Sequence, residues 1–160
     1  MYLSWIIPAY NEEKRIEKTL REVDAYLRSK NFSGGYEIIV ADSSSKDRTQ
    51  EIVKNLASFI SNLSFLIVEN KGKGFAVKQG MLSAKGDIRL FSDADNATSP
   101  EHFNKMIPFF EEGYDLVIGS RHPRDALGAS QDVPDGEGGR RGSCCRVDEP
   151  EIVIRNARAV

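Results

Sequence analysis

The chain has 160 residues, 40% of them hydrophobic and 29% charged, with a net charge of −2. That is one domain's worth of sequence with enough apolar content for a core, and it lacks the basic excess of a non-specific nucleic-acid binder. No run of 18 apolar residues marks a transmembrane helix. Charge and Pro8 come too early for a signal peptide, and the two cysteines, adjacent at Cys144 and Cys145, do not frame a disulfide-stapled fold. The expectation is a soluble cytoplasmic α/β protein.

Strand and helix patterns alternate from the N-terminus. Leu3 to Ile7 is an apolar run that reads as a buried strand. A helix follows from about Glu12 to Arg28, with Ile16, Leu20, Val23 and Leu27 on one face and Asn11 as its N-cap. Ser33-Gly34-Gly35 breaks the chain, and Tyr36 to Ala41 is the second strand with Asp42 at its end. A polar turn leads to Asp47, a helix cap with Gln50 three residues on, and Ile52, Val53, Leu56 and Ile60 form the next apolar face.

Phe65 to Val68 is a third strand. The loop Asn70-Lys71-Gly72-Lys73-Gly74 opens a helix from Phe75 to Ser83, and Asp87 to Phe91 is a fourth strand that runs into Ser92-Asp93-Ala94-Asp95. Ser99-Pro100 starts another helix, amphipathic through Phe103, Met106, Ile107 and Phe110 and shortened or kinked by Pro108. Tyr114 to Ile118 is a fifth strand that leads to Arg121. After about Arg124, glycines replace apolar periodicity, and only Glu151 to Ile154 resembles a strand. Two parts follow: an α/β domain over 1–124 and an irregular or disordered tail over 125–160.

This alternation predicts a mostly parallel, Rossmann-like sheet with helices on both faces. Ligands of such sheets bind beyond the carboxyl ends of the strands. Pro8 to Glu12, Asp42, Asp93 to Asp95 and Arg121 all fall at that edge. Asp93 and Asp95 form a concentrated pair of hard oxygen donors, suited to Mg2+ or Mn2+ together with phosphate oxygens. Taken alone, the pair also fits a solvated acidic turn. Asp42 suits a base N–H or a ribose hydroxyl, or else caps its own turn. Lys71, Lys73 and Lys78 around Gly72 and Gly74 suit a phosphate-facing loop or a solvated basic turn, and neither a P-loop nor a dinucleotide fingerprint is present. Arg121 could fork two phosphate oxygens or be an ordinary surface arginine.

In order, the segments IIPAYNEEKRI, EIIVADSSSKDRT, NKGKGFAVKQGMLSAKGD, FSDADNAT and DLVIGSR are more specific than their parts. Together they resemble the inverting family 2 glycosyltransferases of the GT-A fold. The similarity is greatest to the dolichyl-phosphate or polyprenyl-phosphate mannose and glucose synthase branch, over about Leu3 to Arg121. The resemblance implies transfer of a hexose from a UDP- or GDP-sugar to a polyprenyl phosphate, at the cytoplasmic face of a membrane and without a membrane-spanning helix or nucleic acid.

Site roles follow from the same resemblance. Pro8, Ala9, Tyr10, Asn11 and Glu12 would wrap the base and ribose, and Asp42 would hold the base. Asp93, Ala94 and Asp95 would form the D-x-D site, with Asp95 the main ligand of Mg2+ or Mn2+ and Asp93 nearer the ribose or the metal's waters. Arg121 would join Asp95 in catalysis by meeting the diphosphate or the acceptor phosphate.

Three departures stand out. Ser43-Ser44 replaces a frequent Asp-Gly, and Ala97 stands where some mannose synthases have a metal ligand. The tail matches nothing in the family, which implies a domain cut short by truncation or a frameshift near Leu127. The alternatives are transfer to a soluble or protein acceptor, and a catalytically silent nucleotide-binding fragment.

Overall fold

The structure, a computed structural model, describes residues 1–30, 32–95 and 97–119, and the backbone of three strands within 131–155. In chain order the elements are β1 (Leu3–Ala9), α1 (Ile16–Ser29), β2 (Tyr36–Asp42), α2 (Thr49–Ala57), β3 (Leu63–Ile67), α3 (Lys73–Ser83) and β4 (Ile88–Phe91). A 3-10 helix (Pro100–Lys105), α4 (Ile107–Glu111), β5 (Leu116–Gly119), β6 (Gln131–Val133), β7 (Gly142–Val147) and β8 (Ile152–Arg155) complete them. The sheet order is β3-β2-β1-β4-β8-β5-β7-β6. Strands β1 to β4 pair in parallel, β8 runs antiparallel between β4 and β5, and β7 lies parallel to β5 with β6 antiparallel at the margin.

Alternation along β1 distributes its side chains between two layers. Leu3, Trp5, Ile7 and Ala9 join the larger core with Ile16, Leu20, Val23 and Leu27 of α1 and Val53 and Leu56 of α2. Ile6 faces the other way, with Ile39 and Ala84. Ala41, Val68 and Ala76 pack on that second face too, where α3 lies. Helices therefore cover both faces, as the strand–helix alternation predicts.

Pro8 lies inside β1 rather than after it, and the register explains why. Ile6 O accepts from Ser92 N (3.1 Å) and Ala9 O accepts from Ser43 N (2.8 Å), so even residues present their backbone to β4 and odd ones to β2. Pairing with β4 ends at Ile6, and the N–H that Pro8 lacks would point past the last residue of β4. Near the C-terminus, Pro100 begins a 3-10 helix and Pro108 falls in the first turn of α4. The expected single helix is therefore split in two, because a proline ring is tolerated only near a helix start.

Three strands are described after residue 124, the last of them matching the expected strand fragment Glu151 to Ile154. All three pair into the same sheet, and the β-branched run Ile152-Val153-Ile154 pairs with both β4 and β5. An apolar strand in that slot satisfies two backbone edges that would otherwise lie open. Ser120 and Arg121 lie outside the described residues.

Candidate functional site

Where β1, β2 and β4 end, the chain leaves a cavity of about 290 Å³. Pro8, Ala9, Tyr10 and Glu12 line it from the β1 end, Ser43 from the β2 end, Asn70, Gly72 and Lys73 from the approach to α3, and Asp93, Ala94 and Asp95 from the β4 end. The sheet thus brings together segments some 80 residues apart, as expected of strand ends in a parallel sheet. Of the predicted set, Asp42 is not on the cavity wall and Arg121 lies outside the described residues.

Two loops, 10–15 and 42–50, form one wall and are braced to each other by backbone-to-side-chain bonds. Asn11 N–H donates to Ser45 Oγ (2.9 Å) and Lys46 N–H donates to Asn11 Oδ1 (2.8 Å). Glu12 N–H donates to Thr49 Oγ1 (2.8 Å), and Glu13 N–H donates to Asp47 Oδ2 (3.0 Å). Asn11 therefore does not cap α1, which begins only at Ile16. It takes a positive φ of 55°, which asparagine tolerates better than most residues, and ties the first loop to the second.

Asp42 is fully buried, and its carboxylate accepts from the Ser45 hydroxyl, from Ser45 N–H (3.0 Å) and from Gln50 Nε2 (2.9 Å). Ser43, beside it, reaches the cavity instead. Ser44 occupies a left-handed conformation (φ 56°) where Gly would carry no penalty, and its hydroxyl offsets part of that strain by donating to Val68 O (2.8 Å). Sequence reasoning passed over Ser43 and Asn70 as lining residues. The available signal is positional: each lies within three residues of the end of a parallel strand.

Asp47 holds the brace together. Burial works to raise its pKa, but hydrogen bonds from the Thr49 hydroxyl and from the Thr49 and Glu13 amides outweigh it and hold the carboxyl below its ordinary value. A depressed folded-state pKa stabilises the protein above the unfolded carboxylate value, near 3.9, and that stability is lost as pH falls through the folded value. Asp47→Ala is expected to cost about 1–3 kcal/mol at pH 7, from two backbone donors left without their acceptor. Thermal melts from pH 7 to pH 2 should also show a shallower acid decline than the wild type. A decline parallel to that of the wild type would remove Asp47 from the acid-sensitive set.

The opposite end of the site is electrostatic. Asp93 and Asp95 both face the cavity, and the Lys73 ammonium forms an ion pair with Asp93 Oδ1. Asp95 Oδ1 accepts from Ala97 N–H (3.0 Å). Gly72, at φ 90°, turns the chain into α3, so the amino end of an 11-residue helix meets the cavity at Gly72 and Lys73. Glu12 is engaged by Arg15 through two bonds (2.7 and 2.9 Å) and brings little unbalanced charge. A helix amino end, a lysine and two carboxylates in one cavity suit a metal-compensated polyphosphate.

Fold and cavity define an α/β protein that takes its ligand beyond the carboxyl ends of a largely parallel sheet. The chain belongs to Glycosyl transferase family 2, whose profile it matches over residues 4–134. It is 44% identical over 131 residues to a dolichyl-phosphate beta-glucosyltransferase of Trichomonas vaginalis, covering 76% of this chain and 40% of that protein. It is 37% identical over 122 residues to a dolichol-phosphate mannosyltransferase of Pyrococcus furiosus, covering 76% of this chain and 34% of that one. Among solved structures, the mannosyltransferase PcManGT of Pyrobaculum calidifontis, in complex with GDP-Man and Mn2+, superposes with a TM-score of 0.63 at 26% identity, over 77% of this chain and 36% of that one. The chain thus spans about two fifths or less of the curated relatives it matches. The expected family and the expected GT-A sheet both stand.

Proposed function

We propose that this chain carries the donor-binding part of an inverting glycosyltransferase that moves a hexose from a nucleotide-diphosphate sugar to a polyprenyl phosphate. One observation carries the reading: Asp93 and Asp95 share a cavity with Lys73 and the amino end of α3. The donor-binding unit is residues 1–124. The loop Pro8–Glu12 and Ser43 enclose the nucleoside, and the buried Asp42 shapes the base end of the cavity. Arg121 meets a phosphate. Names of relatives in the dolichyl-phosphate glucosyl- and mannosyltransferase group support the acceptor. Among the described residues no helix is long and apolar enough to cross a membrane, and contact with the lipid is assigned to the membrane surface.

The donor set fits a hard divalent cation, Mg2+ or Mn2+, because both exposed carboxylates face the space where a diphosphate would lie. Asp93 and Asp95 would hold it. Among the described residues no group of three His, Cys, Asp or Glu side chains converges, so diphosphate oxygens and water would complete the shell. A bound cation supplies counter-charge to the departing diphosphate. Lys73, drawn off Asp93, contributes a second positive charge to the same phosphates.

In the transfer itself, a lone pair on the lipid phosphate attacks the anomeric carbon from the face opposite the diphosphate. The anomeric C–O bond breaks, and its electrons leave on the nucleoside diphosphate. A phosphomonoester has mostly lost its second proton near neutral pH, so the step needs no strong general base.

Radiolabelled UDP- and GDP-hexoses, incubated with polyprenyl phosphate in detergent with and without chelator, test the reading. Label entering the lipid fraction only without chelator supports it. Label entering a soluble acceptor instead would replace the acceptor, and metal-dependent donor binding with no transfer to either would reduce the chain to a nucleotide-binding unit.

A further inference from the structure

The acidic loop is pinned from inside the core at alternate residues. Ser92 and Ala94 are buried while Asp93 and Asp95 are exposed. At Ser92, the backbone N–H donates to Ile6 O (3.1 Å), and the hydroxyl oxygen accepts from the indole N–H of Trp5 (2.8 Å). At Ala94, the carbonyl accepts from Thr19 Oγ1 (2.7 Å), a buried bond that links the loop to α1 across 75 residues of sequence. Thr19 is 1% exposed and lies in the first turn of α1.

Ala94 is the middle residue of the acidic triplet. With its carbonyl drawn inward, the peptide planes that carry Asp93 and Asp95 are held, and both carboxylates are turned to the cavity. We infer that Thr19 is a positioning residue for the metal and donor site, aiming the two carboxylates through its hydrogen bond to the carbonyl between them. This rests on the assignment of Asp93 and Asp95 to a divalent cation. Thr19 touches neither substrate nor metal. Its effect is that of an outer partner that fixes the orientation of metal ligands, for which losses of 10- to 100-fold in metal affinity are usual.

The test is Mn2+ binding to the whole chain, followed by the loss of the free-ion paramagnetic resonance signal. Four proteins are compared: wild type, Thr19→Val, Thr19→Ser and Asp95→Ala. Valine keeps the shape of threonine but not the donor, and serine keeps the donor. The expected result is Mn2+ affinity lowered about 10-fold in Thr19→Val and restored in Thr19→Ser, with thermal melts showing each protein folded at the titration temperature. A merely structural role would lower the melting temperature and leave the affinity of the folded protein unchanged. Thr19→Val binding Mn2+ within twofold of wild type, while Asp95→Ala does not bind, would overturn the role of Thr19 and leave the metal assignment intact. Weakening in Thr19→Ser equal to that in Thr19→Val would overturn it too. Wild-type affinity in Asp95→Ala would instead overturn the metal assignment, and the role of Thr19 with it.

Discussion

Asp95→Ala is expected to lower Mn2+-dependent affinity for the nucleotide diphosphate by about 100-fold or more, equivalent to at least about 2.7 kcal/mol. Glu12, the cavity's third carboxylate, is held by Arg15, and Asp93 is already partly neutralised by Lys73. Among the described residues, Asp95 has no cationic partner of that kind. Asp95 Oδ1 accepts from the Ala97 N–H, a local turn bond that leaves the second oxygen to the cavity. Removing Asp95 therefore takes away the stronger ligand, whereas Asp93→Ala both removes a ligand and frees Lys73 for the phosphates, for a smaller net loss. Because Asp95 is exposed, the fold should change by about 0.5 kcal/mol or less. Asp95→Asn separates the charge from the turn, since the amide oxygen still accepts from Ala97 N–H but is a poorer ligand for a hard cation. Calorimetry with UDP and GDP, each with and without Mn2+, reads all three variants. Equal metal-dependent affinity in the wild type and Asp95→Ala would dismiss the acidic pair as the metal site.

The parts of this site legible in sequence are those that depend on chain direction. The apolar runs Leu3 to Ile7 and Tyr36 to Ala41 could only be buried strands, and the helices between them forced a parallel sheet. Pro8 to Glu12 and Asp93 to Asp95 therefore had to meet at one edge. What stayed hidden depends on which partner a polar side chain chooses. Asn11 reads as a helix cap from its position before Glu12 and Glu13, yet it serves the neighbouring loop through Ser45 and Lys46. Asp42 reads either as a ligand at a strand end or as a cap of its own turn, and only the fold shows Ser45 and Gln50 on its two oxygens. Lys73 reads as one of several loop lysines, and only the folded loop brings it to Asp93. In the tail, Glu151 to Ile154 is legible as a strand, but its slot between β4 and β5 is not, and β6 and β7 carry too little apolar pattern to be read locally.

Gly80→Val is expected to destabilise the protein by about 3 kcal/mol or more and to damage the site from a distance. Helix α3 buries Ala76 and Gly80, four residues apart, against the sheet, and this small-residue stripe is what lets the helix axis come close. A Cβ placed on Gly80 would lie 2.5 Å from Ile6 Cγ2 and 3.6 Å from Ala41 Cβ. Ile6 is fully buried on the central strand and has no room to yield. An alanine gains up to about 1 kcal/mol of helix propensity over glycine, which offsets part of an overpacking cost of about 1–3 kcal/mol, so Gly80→Ala should be mildly destabilising. Valine adds two further methyl groups to the same contact and gives back part of the propensity gain through its branched Cβ. At about 2–4 °C per kcal/mol for a chain of this size, a melting-temperature drop of roughly 6–12 °C is the expected reading. The only relief available to the valine variant is for α3 to lift from the sheet. That motion would carry Gly72 and Lys73 away from Asp93, since both lie at the amino end of the same helix. Nucleotide affinity should therefore fall in Gly80→Val even at temperatures where the variant is fully folded, and fall less in Gly80→Ala. A valine variant that melts with the wild type would mean that α3 does not press on Ile6, and the placement of the phosphate-side wall would fall with that contact.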